Sequence, residues 1–251
     1  MEPVFRALEI TAKALVAATG TKITYQHIER VPSTGGAVIA INHTSYVDWL
    51  PAALAVEARG RRIRYMIKAE MQQVTVVNFL IKHTKTIPVD RRSGARAYAE
   101  AVRLLRAGEL VGLMPEATIS RSLELKDFKT GAARMALEAG VPTIPLIVWG
   151  AQRIWTKDHR RNVGYKKIPV IVAAGRQLPP PTGDAEHLDA ALREGMTSLL
   201  HRVQEEYPHP EGAFWVPRRL GGSAPTVAEA KIIEDTEKAE RTRRRRAEHR
   251  P

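Results

Sequence analysis

The chain has 251 residues, no cysteine and a formal net charge of +12. That length supports one substantial domain with its own core, and the missing cysteine excludes disulfides, thiolate metal sites and a thiol nucleophile. So large a positive charge reads either as the mark of an anionic partner such as lipid headgroups, coenzyme A or nucleic acid, or as an accidental excess; six arginines between Arg241 and Arg250, set against Glu248, supply +5 of it.

Residues 3 to 19 place Val4, Phe5, Leu8, Ala12, Leu15 and Val16 on one helical face, with Arg6, Glu9 and Lys13 elsewhere. This predicts an amphipathic helix that either lies in a membrane interface or packs on the protein's own core. Strand-like runs at 37–41, 62–67, 86–89, 110–114 and 143–148 alternate with helix-like runs at 45–58, 71–82, 94–107 and 129–139. Gly108 and Gly140 fall where helix C-termini need them. The alternation predicts an α/β fold, a largely parallel central sheet flanked by helices, preceded by the N-terminal amphipathic helix. A further strand is expected at 169–174 and an amphipathic helix at 186–206, after a proline-rich break. Residues 208–225 read as irregular, with Phe214 and Trp215 as a core plug or an interfacial anchor. The last 25 residues read as a charged helix or a disordered tail. The domains are then 1–30, an amphipathic membrane-associating segment; 31–225, the globular domain; and 226–251, the charged tail. No apolar run reaches the length of a spanning helix and no signal-peptide core precedes the domain, so the chain is expected not to cross a bilayer.

Asn42-His43-Thr44-Ser45-Tyr46-Val47-Asp48 follows the apolar run Ala37-Val38-Ile39-Ala40-Ile41. With Thr44 or Ser45 as N-cap, a helix runs to Ala58 and His43 lies in the strand-to-helix turn, where open α/β sheets hold ligands. Asp48, one turn into that helix, reaches back to the ring, fixes its tautomer and steadies the imidazolium, so that the pair can remove a proton from a hydroxyl. The competing reading makes Ser45-x-x-Asp48 a capping box and His43 an ordinary turn residue. The chain has no Gly-x-Ser-x-Gly elbow, no Gly-x-Gly-x-x-Gly and no P-loop run, which disfavours hydrolase, dinucleotide and nucleotide readings. The eight histidines form no helical His-x-x-x-His pair, and no metal is expected.

The Asn-His-x-x-x-x-Asp stretch resembles the signature of the glycerolipid acyltransferases, the 1-acylglycerol-3-phosphate acyltransferase family, and further blocks follow in that family's order. Lys68 lies in Tyr65-Met66-Ile67-Lys68-Ala69-Glu70-Met71, similar to its Lys-x-Glu block. Ile87-Pro88-Val89-Asp90-Arg91-Arg92 looks like its second motif. Leu113-Met114-Pro115-Glu116-Ala117-Thr118-Ile119-Ser120-Arg121-Ser122 resembles Phe-Pro-Glu-Gly-Thr-Arg-Ser, and Val141-Pro142-Thr143-Ile144-Pro145-Leu146 matches the fourth. The resemblance spans residues 35–150. Ala117 replaces the family's glycine and Ile119 its phosphate-binding arginine; Arg121, two residues on, offers a guanidinium in its place.

The resemblance implies an enzyme, a 1-acylglycerol-3-phosphate O-acyltransferase. It would move a fatty acyl group from acyl-CoA or acyl carrier protein to the free hydroxyl of 1-acylglycerol 3-phosphate, giving phosphatidic acid. His43 is then the general base and Asp48 its orienting partner. Asn42, Lys68, Arg91, Glu116, Thr118 and Arg121 are the expected substrate-binding residues, and Asn42 or a backbone N–H of the 42–45 turn is a candidate oxyanion donor. No cofactor is expected, with acyl-CoA as co-substrate. Val74, Val76, Val77, Phe79, Leu80 and Ile81 line an acyl groove, touch lipid or fill the core. The expected partners are the lysophospholipid acceptor, the acyl donor and a membrane surface carrying anionic lipids, with no nucleic acid. The expected location is peripheral, monotopic, on the cytoplasmic face of the cell membrane. A glycolipid or aminolipid acceptor, favoured by Ile119, and a noncatalytic lipid or nucleic-acid binder are the alternatives.

Overall fold

The structure, a computed structural model, describes residues 3–90, 94–179 and 184–248. Its strands are β1 (Ile23–Gln26), β2 (Ala37–Ile41), β3 (Ile63–Lys68), β4 (Ile87–Val89), β5 (Leu110–Leu113), β6 (Thr143–Trp149) and β7 (Val170–Ala174). The helices are α1 (Pro3–Thr19), α2 (Trp49–Glu57), α3 (Thr75–His83), α4 (Ala95–Arg106), α5 (Gly131–Ala139), α6 (Ala185–Glu206) and α7 (Val227–Glu248). The strands form one sheet in the order β1-β7-β6-β2-β5-β3-β4. Neighbours run parallel except β6 and β7, which pair antiparallel.

Every residue of β2 and of β6 is buried, as expected of parallel strands covered on both faces. Because side chains alternate along a strand, β2 divides its residues between two cores. Val38 and Ala40 join Val111, Ile147 and Trp149 under α4, α5 and α6, packed by Leu105, Met135, Leu192, Met196 and Leu200. Ala37, Ile39 and Ile41 join Leu110, Ile144, Leu146 and Val148 under Ala52, Ala55 and Val56 of α2. Each fully buried Leu or Ile here contributes about 1.5–3 kcal/mol. Gly112 of β5 is required by closeness, since a Cβ there would lie 2.3 Å from Ile63 Cγ2 on β3.

Three expectations are revised. β1 falls inside residues 1–30 and pairs with β7, so the sheet begins within the segment assigned to membrane association. α2 starts at Trp49, not near Ser45; the intervening backbone is a turn whose N–H groups bond side chains and a remote carbonyl. α1 packs on neither core. Its one buried residue is Glu9, paired with Arg62 at 2.8 Å, and Phe5 lies under the Arg62 and Arg64 guanidiniums. A polar face thus anchors α1. Of the two aromatics at 214 and 215, Trp215 packs against the core, edge-on to Tyr207, while the part-exposed Phe214 stacks on His159. No helix among the described residues is long and apolar enough to cross a membrane.

Candidate active site

β2, β5, β3 and β4 are parallel neighbours, so the chain leaving them at Asn42, Met114, Ala69 and Asp90 emerges on one rim of the sheet. There His43 Nδ1 lies 3.2 Å from Asp48 Oδ2. The imidazole is 20% exposed and the carboxylate 0%. Asp48 stands at the N-cap of α2 and not one turn inside it. Its Oδ2 also accepts the Thr44 N–H at 2.8 Å and the Ser45 N–H at 2.7 Å. One carboxylate oxygen therefore both folds the turn and holds the ring. Burial pushes the Asp48 carboxyl above its usual range, opposed by the His43 hydrogen bond and charge and by the two N–H donors. With Nδ1–H donated to Asp48, the lone pair of Nε2 has no protein partner among the described residues, and the ring lines a groove.

The turn is fastened on every side. Glu116 is buried, and its two oxygens accept the His43 N–H at 2.8 Å and the Lys126 N–H at 3.0 Å. Burial pushes this carboxyl up to about 8, against the pull of those two N–H donors. The His43 carbonyl accepts from Ser120 N–H at 2.8 Å, Ser45 Oγ donates to the carbonyls of Ala151 and Trp155, and Thr156 Oγ1 donates to the Thr44 carbonyl. Asn42 is wholly buried, its amide donating to Val148 O at 3.0 Å and accepting from Val148 N–H at 2.7 Å. This revises the oxyanion expectation. The Asn42 amide and the backbone N–H groups of residues 42 to 45 all have protein acceptors: Val148, Leu146, Glu116 and Asp48. Asn42 is a strap between β2 and β6 and Glu116 a clamp on the histidine's main chain.

The groove has a volume of about 1780 Å³. Its lining includes apolar side chains, among them Phe5, Leu8 and Leu15 of α1, Trp49 of α2 and Leu80 and Ile81 of α3, and polar ones, among them Thr118, Lys126, Lys157 and residues of α7. Lys68 stands on the rim, half exposed and paired with Glu70 at 3.1 Å. Thr118 Oγ1 accepts from Lys126 Nζ at 2.8 Å. Arg121 does not face the groove as a free cation: its Nε is 2.5 Å from Asp158 Oδ2 and it makes a close ion pair with Glu237. Ile119 is buried. Arg91 lies outside the described residues. Lys126 and Lys157 are among the groove cations that motif reasoning missed, since neither sits at a recognisable spacing; their only signal was charge downstream of the Pro-Glu block. Tyr65, also missed, donates its hydroxyl to Trp49 O at 2.7 Å, and burial beside the Asp48 charge keeps it protonated. Among the described residues no cluster of three or more His, Asp or Glu is gathered for a metal ion.

A family model described as acyltransferase matches residues 22–149, more than half of the chain, and that span carries the whole His43, Asp48 and Glu116 constellation. The chain is 26% identical over 188 residues to a Borreliella burgdorferi protein named 1-acyl-sn-glycerol-3-phosphate acyltransferase, covering 74% of each. It is 32% identical over 123 residues to a Bacillus subtilis protein of the same name, covering 49% of this chain and 60% of that one. The fold is similar to the crystal structure of the Thermotoga maritima 1-acyl-sn-glycerophosphate (LPA) acyltransferase, PlsC, with a TM-score of 0.69 at 21% identity over 82% of each chain. A histidine poised on a buried aspartate at the mouth of a part-apolar groove, within the span that the family model matches, places this chain in the acyltransferase family.

Proposed function

We propose that the protein transfers a fatty acyl group from a thioester donor, acyl-CoA or acyl carrier protein, to the free hydroxyl of 1-acylglycerol 3-phosphate, giving phosphatidic acid. The observation that carries this reading is His43 Nε2, unpartnered among the described residues in a groove lined by both apolar side chains and lysines. An acyl chain fits the former and a phosphate the latter; the names of the Borreliella and Bacillus relatives point to the same acceptor.

The chemistry follows from the geometry. The acceptor hydroxyl gives its proton to His43 Nε2 as its oxygen attacks the thioester carbonyl. The buried Asp48 carboxylate steadies the imidazolium through Nδ1–H. The tetrahedral adduct then expels the thiolate, which takes the proton back from Nε2 and leaves as thiol. No covalent enzyme intermediate is required. General-base help of this kind is worth about 10²–10⁴ in rate, with orientation of the two substrates adding to it. Lys126 and Lys157 join Arg91 and Arg121 as candidates for the acceptor phosphate, with Lys68 a candidate for a passing headgroup or donor.

Exposed Leu15 on α1 and Val74 and Phe79 at α3, on two helices that line the groove, would seat on a bilayer whose anionic lipids attract the basic chain. On this reading the enzyme is peripheral, on the cytoplasmic face of the cell membrane. A glycolipid or aminolipid acceptor is the second reading, favoured by the commitment of Arg121 to Asp158 and Glu237. The test is turnover of labelled acyl-CoA by purified protein on a panel of acceptors. Lysophosphatidate should be preferred and His43→Ala should lose at least 10²-fold in kcat. Turnover only on acceptors without phosphate would replace the acceptor, and unaltered turnover in the His43 variant would reject the mechanism.

A further inference from the structure

Resting on that reading of the groove, we propose that α7 is a built-in anionic plug. Glu234 and Glu237 hold the cationic cluster that Arg121 forms with the groove residues Lys126 and Lys157 and that receives the acceptor phosphate, and the acceptor binds by displacing them.

The face that α7 turns inward is made of Ala230, Glu234 and Glu237, spaced four and three residues apart on one side of a helix. Ala230 is its one buried residue among those whose side chains are described, while Val227 and Ile232 are 58% and 67% exposed. The helix is therefore held mainly by charge. Glu234 makes a close ion pair with Lys126, and Glu237 with Arg121. Lys126 is not remote from the chemistry, because its own N–H donates to the Glu116 carboxylate that clamps His43, and its ammonium donates to Thr118.

The fit is incomplete on both sides of this contact. Arg121, only 5% exposed, leaves Nη1 buried with no partner, and Glu234 leaves Oε1 in the same condition. Lys157 lines the groove with no ion pair among the described residues; burial first, then the Arg121 charge, hold its ammonium below the usual lysine range. Each glutamate presents its two oxygens in one plane at the end of a tether fixed to α7, whereas a phosphate monoester presents three around a tetrahedron and can turn them toward donors that the glutamates leave unserved. The charge also matches: two carboxylates carry −2, and a phosphate monoester carries about −1.5 to −2 at pH 7. Exchange of the glutamates for the acceptor phosphate thus leaves the pocket nearly neutral throughout, which lets a buried cation cluster stay folded both with and without substrate.

The experiment uses the full chain and the double variant Glu234→Gln/Glu237→Gln, which keeps side-chain size and removes the charge. Glu186→Gln/Glu240→Gln, at two exposed positions that do not line the groove, is the control for net charge. We expect KM for lysophosphatidate to fall at least fivefold in the double variant with KM for acyl-CoA within twofold, and both to stay put in the control. Calorimetric affinity for glycerol 3-phosphate, which needs no turnover, should tighten by a similar factor. In the wild type, saturating glycerol 3-phosphate should speed hydrogen exchange of α7 amides at least tenfold. Unchanged or weaker phosphate affinity in the double variant, or α7 exchange indifferent to glycerol 3-phosphate, overturns the plug even if acyl transfer is observed. Tightened phosphate affinity and faster α7 exchange without turnover on any acceptor support the plug as an anion gate and overturn the acyl-transfer reading instead.

Discussion

Asp48→Asn separates the two tasks that the buried carboxylate performs. An asparagine carbonyl placed where Oδ2 lies still accepts the Thr44 and Ser45 N–H groups, at 2.8 and 2.7 Å, and the His43 Nδ1–H at 3.2 Å. Its amide nitrogen replaces Oδ1, which is already buried without a partner. The turn should therefore survive, with stability within about 1 kcal/mol of wild type, because one unpartnered buried carboxylate oxygen is exchanged for one unpartnered buried amide group. What disappears is the charge facing the imidazolium. At 3.2 Å and an effective dielectric constant of about 20, Coulomb's law gives roughly 5 kcal/mol, part of which the carbonyl dipole retains. A loss of about 3–4 kcal/mol in the transition state predicts a kcat lower by about 10²–10³. Asp48→Ala, by contrast, strips two buried N–H groups of their acceptor and should cost about 2–6 kcal/mol of folding stability. The assay is initial rate at saturating labelled acyl-CoA and acceptor, beside urea denaturation of the same preparations. An Asn variant that folds normally and turns over within threefold of wild type would refute the assignment of Asp48 to imidazolium stabilisation.

The Glu116 carboxyl is pushed up to about 8, so the folded state keeps a proton that the unfolded chain releases near 4.5; stability from this group is complete below pH 4.5 and is lost as pH rises to about 8. Glu116→Gln has one acceptor for two N–H donors, so it should be about 1–3 kcal/mol less stable at pH 5 and close that gap by pH 8, and parallel urea midpoints at the two pH values would contradict this. Ala117 has a φ of 59°, a left-handed conformation that costs an L-residue about 1–2 kcal/mol, partly offset by the entropy glycine loses on folding. Ala117→Gly should thus leave activity intact and raise stability by up to about 1 kcal/mol, and a lower denaturation midpoint would argue against strain there. Glu9→Ala removes the pair that anchors α1 and leaves Arg62 partly buried without its carboxylate. Hydrogen exchange of α1 amides should speed about tenfold with the global unfolding midpoint unmoved, and a shift of the midpoint instead would place α1 within the cooperative core.

The central strands were legible because both of their faces are covered, which leaves continuous apolar runs such as Ala37–Ile41 and Thr143–Trp149. β1 escaped notice for the opposite reason: Ile23-Thr24-Tyr25-Gln26 is a half-exposed edge strand whose partner, β7, lies far along the chain. His43 and Asp48 were brought together as expected, yet the turn between them was read as helix. Sequence spacing cannot show that Asp48 Oδ2 takes the Thr44 and Ser45 N–H groups and Trp155 O the Tyr46 N–H, which leaves none of them for a first helical turn. Motif order located Asn42, Glu116 and Arg121 but not their partners. Their commitments to Val148, to two backbone N–H groups and to Asp158 with Glu237 all depend on segments that only folding brings near.

Ser45 and Thr44 are tied to Ala151, Trp155 and Thr156, and those three residues fall just past the stretch at 22–149 that defines the family. A fragment cut to the shared region would retain every diagnostic letter and yet have a slack histidine. The hallmark motifs describe the chemistry, whereas its exactness of aim is lent by a stretch of chain with no hallmark at all.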